Sequence, residues 1–126
     1  MKICIYDKEY FKESKETQEA IISTVISVYN RIRGYTEQGI DFDHIFNDRV
    51  VKYQLHGNFY TYKHRTKNYQ IRILYTYIEV DNEPTILVVD YFLKKTRSKK
   101  YMYKFDDMNN LNPMDLYNSS KVVHVA

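Results

Sequence analysis

The hydrophobic pattern of the first third of the chain is helical. Apolar residues recur every three or four positions across residues 15–33, with polar residues between them, which predicts an amphipathic helix. Ser14 stands where a helix N-cap is expected, and Gly34 is a natural terminator. A short apolar run over residues 2–6 predicts a first strand, and residues 41–47 predict a short second helix. This part of the chain is therefore interpreted as scaffold.

From about residue 50 the pattern changes to the alternation of β-strands. The predicted strands cover residues 50–55, 59–65, 69–80 and 85–92. Short polar turn signals separate them at residues 56–58, 66–68 and 81–84. The last strand is almost wholly apolar, as expected of a central strand covered on both faces. Consecutive strands joined by short turns predict an antiparallel meander.

Together these elements predict an α+β fold in a single domain over residues 1–126. An N-terminal strand and one or two helices are expected to pack on a twisted antiparallel sheet of three or four strands. The polar tail, residues 105–126, is expected to pack loosely. Within it, residues 121–126 are either an edge strand or a loose end.

Charge is distributed very unevenly along a chain whose net charge is only +3. Residues 59–104 contain ten basic and four acidic residues, together with many tyrosines. The single cysteine, Cys4, forms no internal disulfide, and neither a signal peptide nor a membrane-spanning segment is visible. We therefore expect a cytoplasmic domain. No cofactor is expected, because the four histidines form no metal-binding motif and the sequence has no glycine-rich phosphate loop.

The basic residues are spaced so that several can share one face of the sheet. Lys63, Arg65 and Lys67 follow one another at intervals of two, which places their side chains on the same side of a strand. In a meander, the hairpin that carries them and Arg72 converges with residues 94–100 at one end of the sheet. Like charges on one face repel each other unless that face is in water or binds an anion. Cations beside tyrosine rings favour a nucleic-acid ligand over a solvated surface.

Two short segments carry a resemblance to a known family. Arg72, Ile73, Leu74 and Tyr75, followed by residues 92–96 (Phe-Leu-Lys-Lys-Thr), resemble the RelE/ParE superfamily of toxin–antitoxin toxins, and most closely its HigB-like, phage-derived branch. The likeness covers residues 50–103 well and the N-terminal part more loosely. The turn at residues 81–84 and the long tail depart from the family pattern, so that the alignment after this turn can shift by about two residues.

The resemblance implies a ribosome-dependent endoribonuclease that cuts messenger RNA without a metal ion and inhibits translation. The implied catalytic residues are Lys63, Arg65, Arg72, Lys95 and Tyr101. The implied RNA-binding residues are Lys67, Lys94, Arg97, Lys99, Lys100 and Tyr103. The implied partners are the ribosome, messenger RNA and an antitoxin of the helix-turn-helix, HigA-like type, with no membrane involved.

Within this scheme Arg65 and Arg72 hold the phosphate, and Lys95 protonates the leaving group. Either Tyr101 or Lys63 is the base, Tyr103 is the substitute for Tyr101, and Lys94 is the alternative to Lys95. Two other functions stay open: a ParE-like toxin that acts on a protein such as gyrase, and a non-enzymatic binding protein of a phage or mobile element.

Overall fold

Six strands and two α-helices make up the part of the chain that the computed structural model describes, residues 1–65, 70–94 and 111–125. The strands are β1 (Lys2–Ile5), β2 (Tyr53–His56), β3 (Phe59–Arg65), β4 (Gln70–Val80), β5 (Glu83–Lys94) and β6 (Lys121–Val125). The helices are α1 (Lys15–Glu37) and α2 (Pro113–Asn118), and short 3₁₀ helices cover Lys8–Lys12 and Phe42–His44. The predicted α+β class is confirmed.

The strands form one mixed sheet in the order β2-β3-β4-β5-β1-β6. Strands β2 to β5 are the predicted antiparallel meander, in which each strand pairs with the next along the chain. β1 pairs with β5 in parallel, and β6 pairs with β1 in antiparallel orientation. The edge-strand alternative for the end of the chain is therefore the one observed, and the described sheet is wider than the three or four strands expected.

Helix α1 begins where the sequence predicts but continues further. The Ser14 side chain accepts a hydrogen bond from the Thr17 backbone N–H at 3.2 Å, as an N-cap does. The prediction that Gly34 ends the helix is wrong, because Gly34 lies inside it. Gly39, with a φ of 80°, is the residue in the left-handed conformation after the last turn. Its N–H bonds to the Thr36 carbonyl, which closes the helix end.

Each face of the sheet has its own apolar core. On one face, α1 residues such as Val25 and Val28 pack with Ile73 of β4 and Val88 of β5. On the other face, Leu116 of α2 belongs to a second cluster with Cys4, Phe59, Leu74, Leu87 and Val89. Strand β5 is consequently buried on both sides from Thr85 to Asp90, as its apolar sequence predicts.

Two strand boundaries differ from the predicted ones, because local hydrogen bonds determine the first and turn geometry determines the second. β2 begins at Tyr53 rather than at Val50, whose backbone N–H is held by the Asp48 side chain. The turn between β4 and β5 contains only Asp81 and Asn82, both with positive φ (52° and 64°), which is the geometry of a two-residue type I′ hairpin.

The helix predicted over residues 41–47 is reduced to the single 3₁₀ turn Phe42–His44. Phe42 is buried there and contacts the ring of Tyr60 edge-to-face and the ring of Tyr77 at a tilt, with centroid distances of 5.2 and 4.9 Å. In the tail, the described residues include α2 and β6, and Leu116 is buried; residues 105–110 lie outside the described part. Neither described helix combines the length and the apolar character that crossing a membrane requires.

Candidate functional site

Three of the predicted cations lie together on the face of the sheet that is turned away from α1. Tyr62 points into the α1 core, so Lys63 and Arg65, as alternating neighbours along β3, point to the opposite face. Lys63 is paired in register with Arg72 of β4, and Arg65 with Gln70. Directly opposed residues of an antiparallel pair have Cα atoms about 4.5–5.5 Å apart and share a face. Lys63, Arg65 and Arg72 therefore form one basic group.

Lys63 and Arg72 line an open cleft of about 440 Å³, together with Thr61, Arg49 and Val50. Lys63 and Arg49 are exposed, Thr61 and Arg72 are half-buried, and none of these five lining residues, which belong to the described part of the chain, is acidic. The cleft thus brings cations from three segments of the chain around a volume that suits a small anionic group. Guanidinium and ammonium groups in such an arrangement bind phosphate or carboxylate oxygens.

The wall that carries Arg49 is fixed by the buried side chain of Asp48. One oxygen of this carboxylate, Oδ1, accepts the backbone N–H groups of Val50 and Val51 at 3.0 and 3.2 Å. The other, Oδ2, accepts Arg31 Nη2 and the Tyr35 hydroxyl, both at 2.9 Å. The loop before β2 is thereby connected to the last turns of α1.

The protonation of this group follows from its surroundings. Burial acts to raise the pKa of Asp48, but the hydrogen bonds from Tyr35, Arg31 and the loop backbone outweigh it and hold the pKa below its ordinary value. The same contact raises the pKa of Tyr35, chiefly because its hydroxyl donates to a carboxylate. Asp48 is therefore ionised, and Tyr35 neutral, at physiological pH.

Strand β5 borders the basic group on the other side of β4. Phe92 pairs with Arg72, and Lys94 pairs with Gln70, so the backbone of the predicted RNA-binding position Lys94 lies at the same end of the sheet. The register shifts between Leu74 and Tyr75, which leaves Val89 as the extra residue of a β-bulge. Asp90, opposite Leu74, is buried on this face, and its Oδ1 accepts the Tyr91 backbone N–H at 2.8 Å.

The remaining predicted site residues lie outside the described part of the chain: Lys67, Lys95, Arg97, Lys99, Lys100, Tyr101 and Tyr103. They include the predicted general acid Lys95 and the predicted base Tyr101 with its substitute Tyr103, whereas the alternatives Lys63 and Lys94 belong to the described part of the chain. Within residues 1–65, 70–94 and 111–125, no group of three or more His, Cys, Asp or Glu side chains is placed to hold a metal ion.

Sequence reasoning missed Arg49, Val50 and Thr61 as lining residues, and Asp48 as the anchor of the loop. Arg49 does not belong to the alternating pattern that groups the other cations, because it precedes β2. Arg31 and Tyr35 are four positions apart on a helix, which places them on one face. That spacing is the only indication in the sequence, and it does not identify Asp48 as the residue that accepts hydrogen bonds from both side chains.

Comparisons of this chain with protein-family models, with curated proteins and with solved structures gave no match. A function is therefore inferred from the basic cleft and from the sequence.

Proposed function

We propose that this chain is the toxin of a type II toxin–antitoxin system and acts as a RelE/HigB-like endoribonuclease on messenger RNA at the ribosome. The observation that supports the proposal best is the register pairing of Lys63 with Arg72 in an open cleft whose described lining residues include no acid. An RNA strand presents one negative phosphate per nucleotide, and several cations on one face are what its backbone requires. The residues that the family resemblance implies include both members of this pair.

The proposed reaction is attack of a ribose 2′-hydroxyl on the adjacent phosphorus. The 2′-oxygen forms a bond to phosphorus while the bond from phosphorus to the 5′-oxygen breaks, which leaves a 2′,3′-cyclic phosphate and a 5′-hydroxyl. A base takes the proton of the 2′-hydroxyl, and an acid gives a proton to the departing 5′-oxygen.

In this proposal Arg72 and Arg65 stabilise the extra negative charge that the phosphate gains as the new bond forms. A fixed donor of this kind is often worth a few kcal/mol, about 3, of transition-state stabilisation. Lys63, the neighbour of Arg72, either takes the proton or assists Tyr101 in doing so, and Lys95 supplies the proton to the leaving oxygen. In the inactive complex, acidic groups of the proposed antitoxin would bind the same basic surface.

The test is to express the chain alone in cells and to map new 5′-hydroxyl ends in messenger RNA. We expect growth arrest with cuts inside translated frames, and loss of both in Arg72→Ala. The matched control is Arg33→Ala, which removes an exposed α1 arginine that pairs with Glu37 at 3.1 Å, away from the cleft. Melting curves of both variants show whether the fold is intact.

Arrest without cuts would refute the nuclease and favour a toxin that acts on a protein such as gyrase. No arrest would favour a binding protein. Full activity of Arg72→Ala would exclude the cleft as the active site.

A further inference from the structure

The position of Arg49 differs from that of the other arginines near the end of α1. Arg31 is bound to Asp48, and Arg33 is bound to Glu37. Arg49 is exposed, lines the cleft with Lys63 and Arg72, and makes no ion pair with a carboxylate among the residues that the structure describes. An arginine held in a cleft without an internal counter-charge is suited to an external anion.

The backbone on both sides of Arg49 is held in place. Asp48, which precedes it, is bound to Arg31 and Tyr35 of α1, and Val50, which follows it, donates its N–H to Asp48. The Lys52 backbone N–H also bonds to the Asp48 carbonyl at 2.9 Å. The direction in which the Arg49 side chain leaves the backbone is therefore set before any ligand arrives, which lowers the entropy cost of binding.

We infer that Arg49 contacts the phosphate in the cleft alongside Arg72 and that Asp48 is the positioning residue that holds it there. The inference rests on the proposed function for its ligand, the phosphodiester backbone of a single RNA strand. Phosphate is favoured over an isolated carboxylate because cations from three separate segments surround the cleft, as a chain of regularly spaced anions requires.

The test measures the affinity of the purified full chain for a fluorescent single-stranded RNA in which every 2′-hydroxyl is methylated. This probe cannot be cleaved by its own 2′-oxygen, so binding is measured apart from catalysis. Fluorescence anisotropy over a series of KCl concentrations gives the slope of log K against log salt. Each phosphate contact with a single strand contributes about 0.7 to this slope. We expect Arg49→Ala to reduce the slope by about 0.7, and Arg33→Ala, with the same change of charge, to leave it unchanged.

The role of Asp48 is tested by Asp48→Asn in the wild-type and in the Arg49→Ala background. Asparagine keeps an oxygen for the backbone N–H groups but cannot accept both α1 donors in the same way. We expect a several-fold loss of affinity in the wild-type background, although the net charge becomes more positive, and no further loss when Arg49 is already alanine. If thermal melting shows that Asp48→Asn is partly unfolded, Tyr35→Phe, which removes one of the same bonds without a change of charge, takes its place.

Three results would overturn the inference. The first is an Arg49→Ala slope equal to that of Arg33→Ala. The second is an equal loss from Asp48→Asn in both backgrounds, which would mean that Asp48 acts on the fold and not through Arg49. The third is a wild-type chain that does not bind the probe, which would mean that Arg49 contacts no phosphate of a free RNA strand. All three leave the proposed function standing, because the cuts mapped in messenger RNA test it separately.

Discussion

Replacement of Asp48 by alanine is expected to be the most costly polar substitution in the loop before β2. Its carboxylate is only 7% exposed and accepts five hydrogen bonds, from Arg31 Nε and Nη2, the Tyr35 hydroxyl and two backbone N–H groups. Alanine removes all five at once. The donors then differ in how easily water can replace the lost acceptor.

The magnitude follows from the exposure of each donor. The Val51 N–H is buried but keeps the Asp48 backbone carbonyl, at 3.2 Å, as a second acceptor, and the Val50 N–H is partly buried; the loss of the carboxylate from these two donors together costs roughly 1–2 kcal/mol. The Tyr35 hydroxyl is partly buried and contributes about 1 kcal/mol. The Arg31 side chain is 49% exposed, so water screens its ion pair, and we assign it less than about 1 kcal/mol. The sum is about 3 kcal/mol, or a fall in Tm of roughly 10 °C for a domain of this size.

The assay is urea unfolding followed by far-UV circular dichroism, which gives the free energy of unfolding of each variant. Asp43→Ala is the matched control, because Asp43 is an exposed aspartate of the same segment. We expect the control to lie within about 0.5 kcal/mol of wild type. If Asp48→Ala is no less stable than Asp43→Ala, the carboxylate does not anchor the loop in the way described.

Three further predictions concern stability and use the same urea assay. The stabilisation by ionised Asp48 is complete above the pKa that this group has in the unfolded chain, and it is lost as the pH falls through the lower pKa of the folded state. The difference in free energy of unfolding between wild type and Asp48→Asn should therefore shrink below about pH 5. A constant difference down to about pH 2 would contradict the assigned pKa shift. Gly34→Ala should raise the free energy of unfolding by about 0.5–1 kcal/mol, because an added Cβ meets nothing within 4 Å inside α1; a decrease would contradict this. Asn82→Val should lower it by about 1–2 kcal/mol, since Asn82 has a positive φ, whereas Asn82→Gly should not lower it; equal effects of the two would exclude backbone strain as the cause.

The parts of the fold that could be predicted from the sequence are those decided by neighbouring residues. The polar turn signals on either side of β3 predicted both ends of that strand, Phe59 and Arg65, and the cap at Ser14 predicted the start of α1. The prediction from Gly34 was wrong because a glycine ends a helix only where the backbone adopts the left-handed conformation, which here occurs at Gly39. Packing of Val28 and Ile32 in the core stabilises the helix on the approach to Gly34, so that it continues beyond this residue.

The candidate site was predictable only in so far as it follows from strand alternation. The shared face of Lys63 and Arg65 needs nothing more than the period of a strand, and the pairing with Arg72 follows from a hairpin register. The contribution of Arg49 depends on a carboxylate that joins a loop to a helix, a contact between residues far apart in sequence. Neither periodicity nor composition specifies such a contact.

Strand β1 lies between β5 and β6 in the sheet, and this position has a consequence for the order in which the chain folds. The hairpins from β2 to β5 join neighbouring segments, so their closure costs little chain entropy and they can form quickly. β1 instead pairs Lys2 with Thr85 on one side and with Val125 on the other. During synthesis it leaves the ribosome before either partner, because Thr85 follows Lys2 by 83 residues and Val125 follows it by 123. Ile3, Cys4 and Ile5, which are buried in the finished protein, must remain without their partners until then, so that for this strand the order of synthesis and the order of folding are reversed.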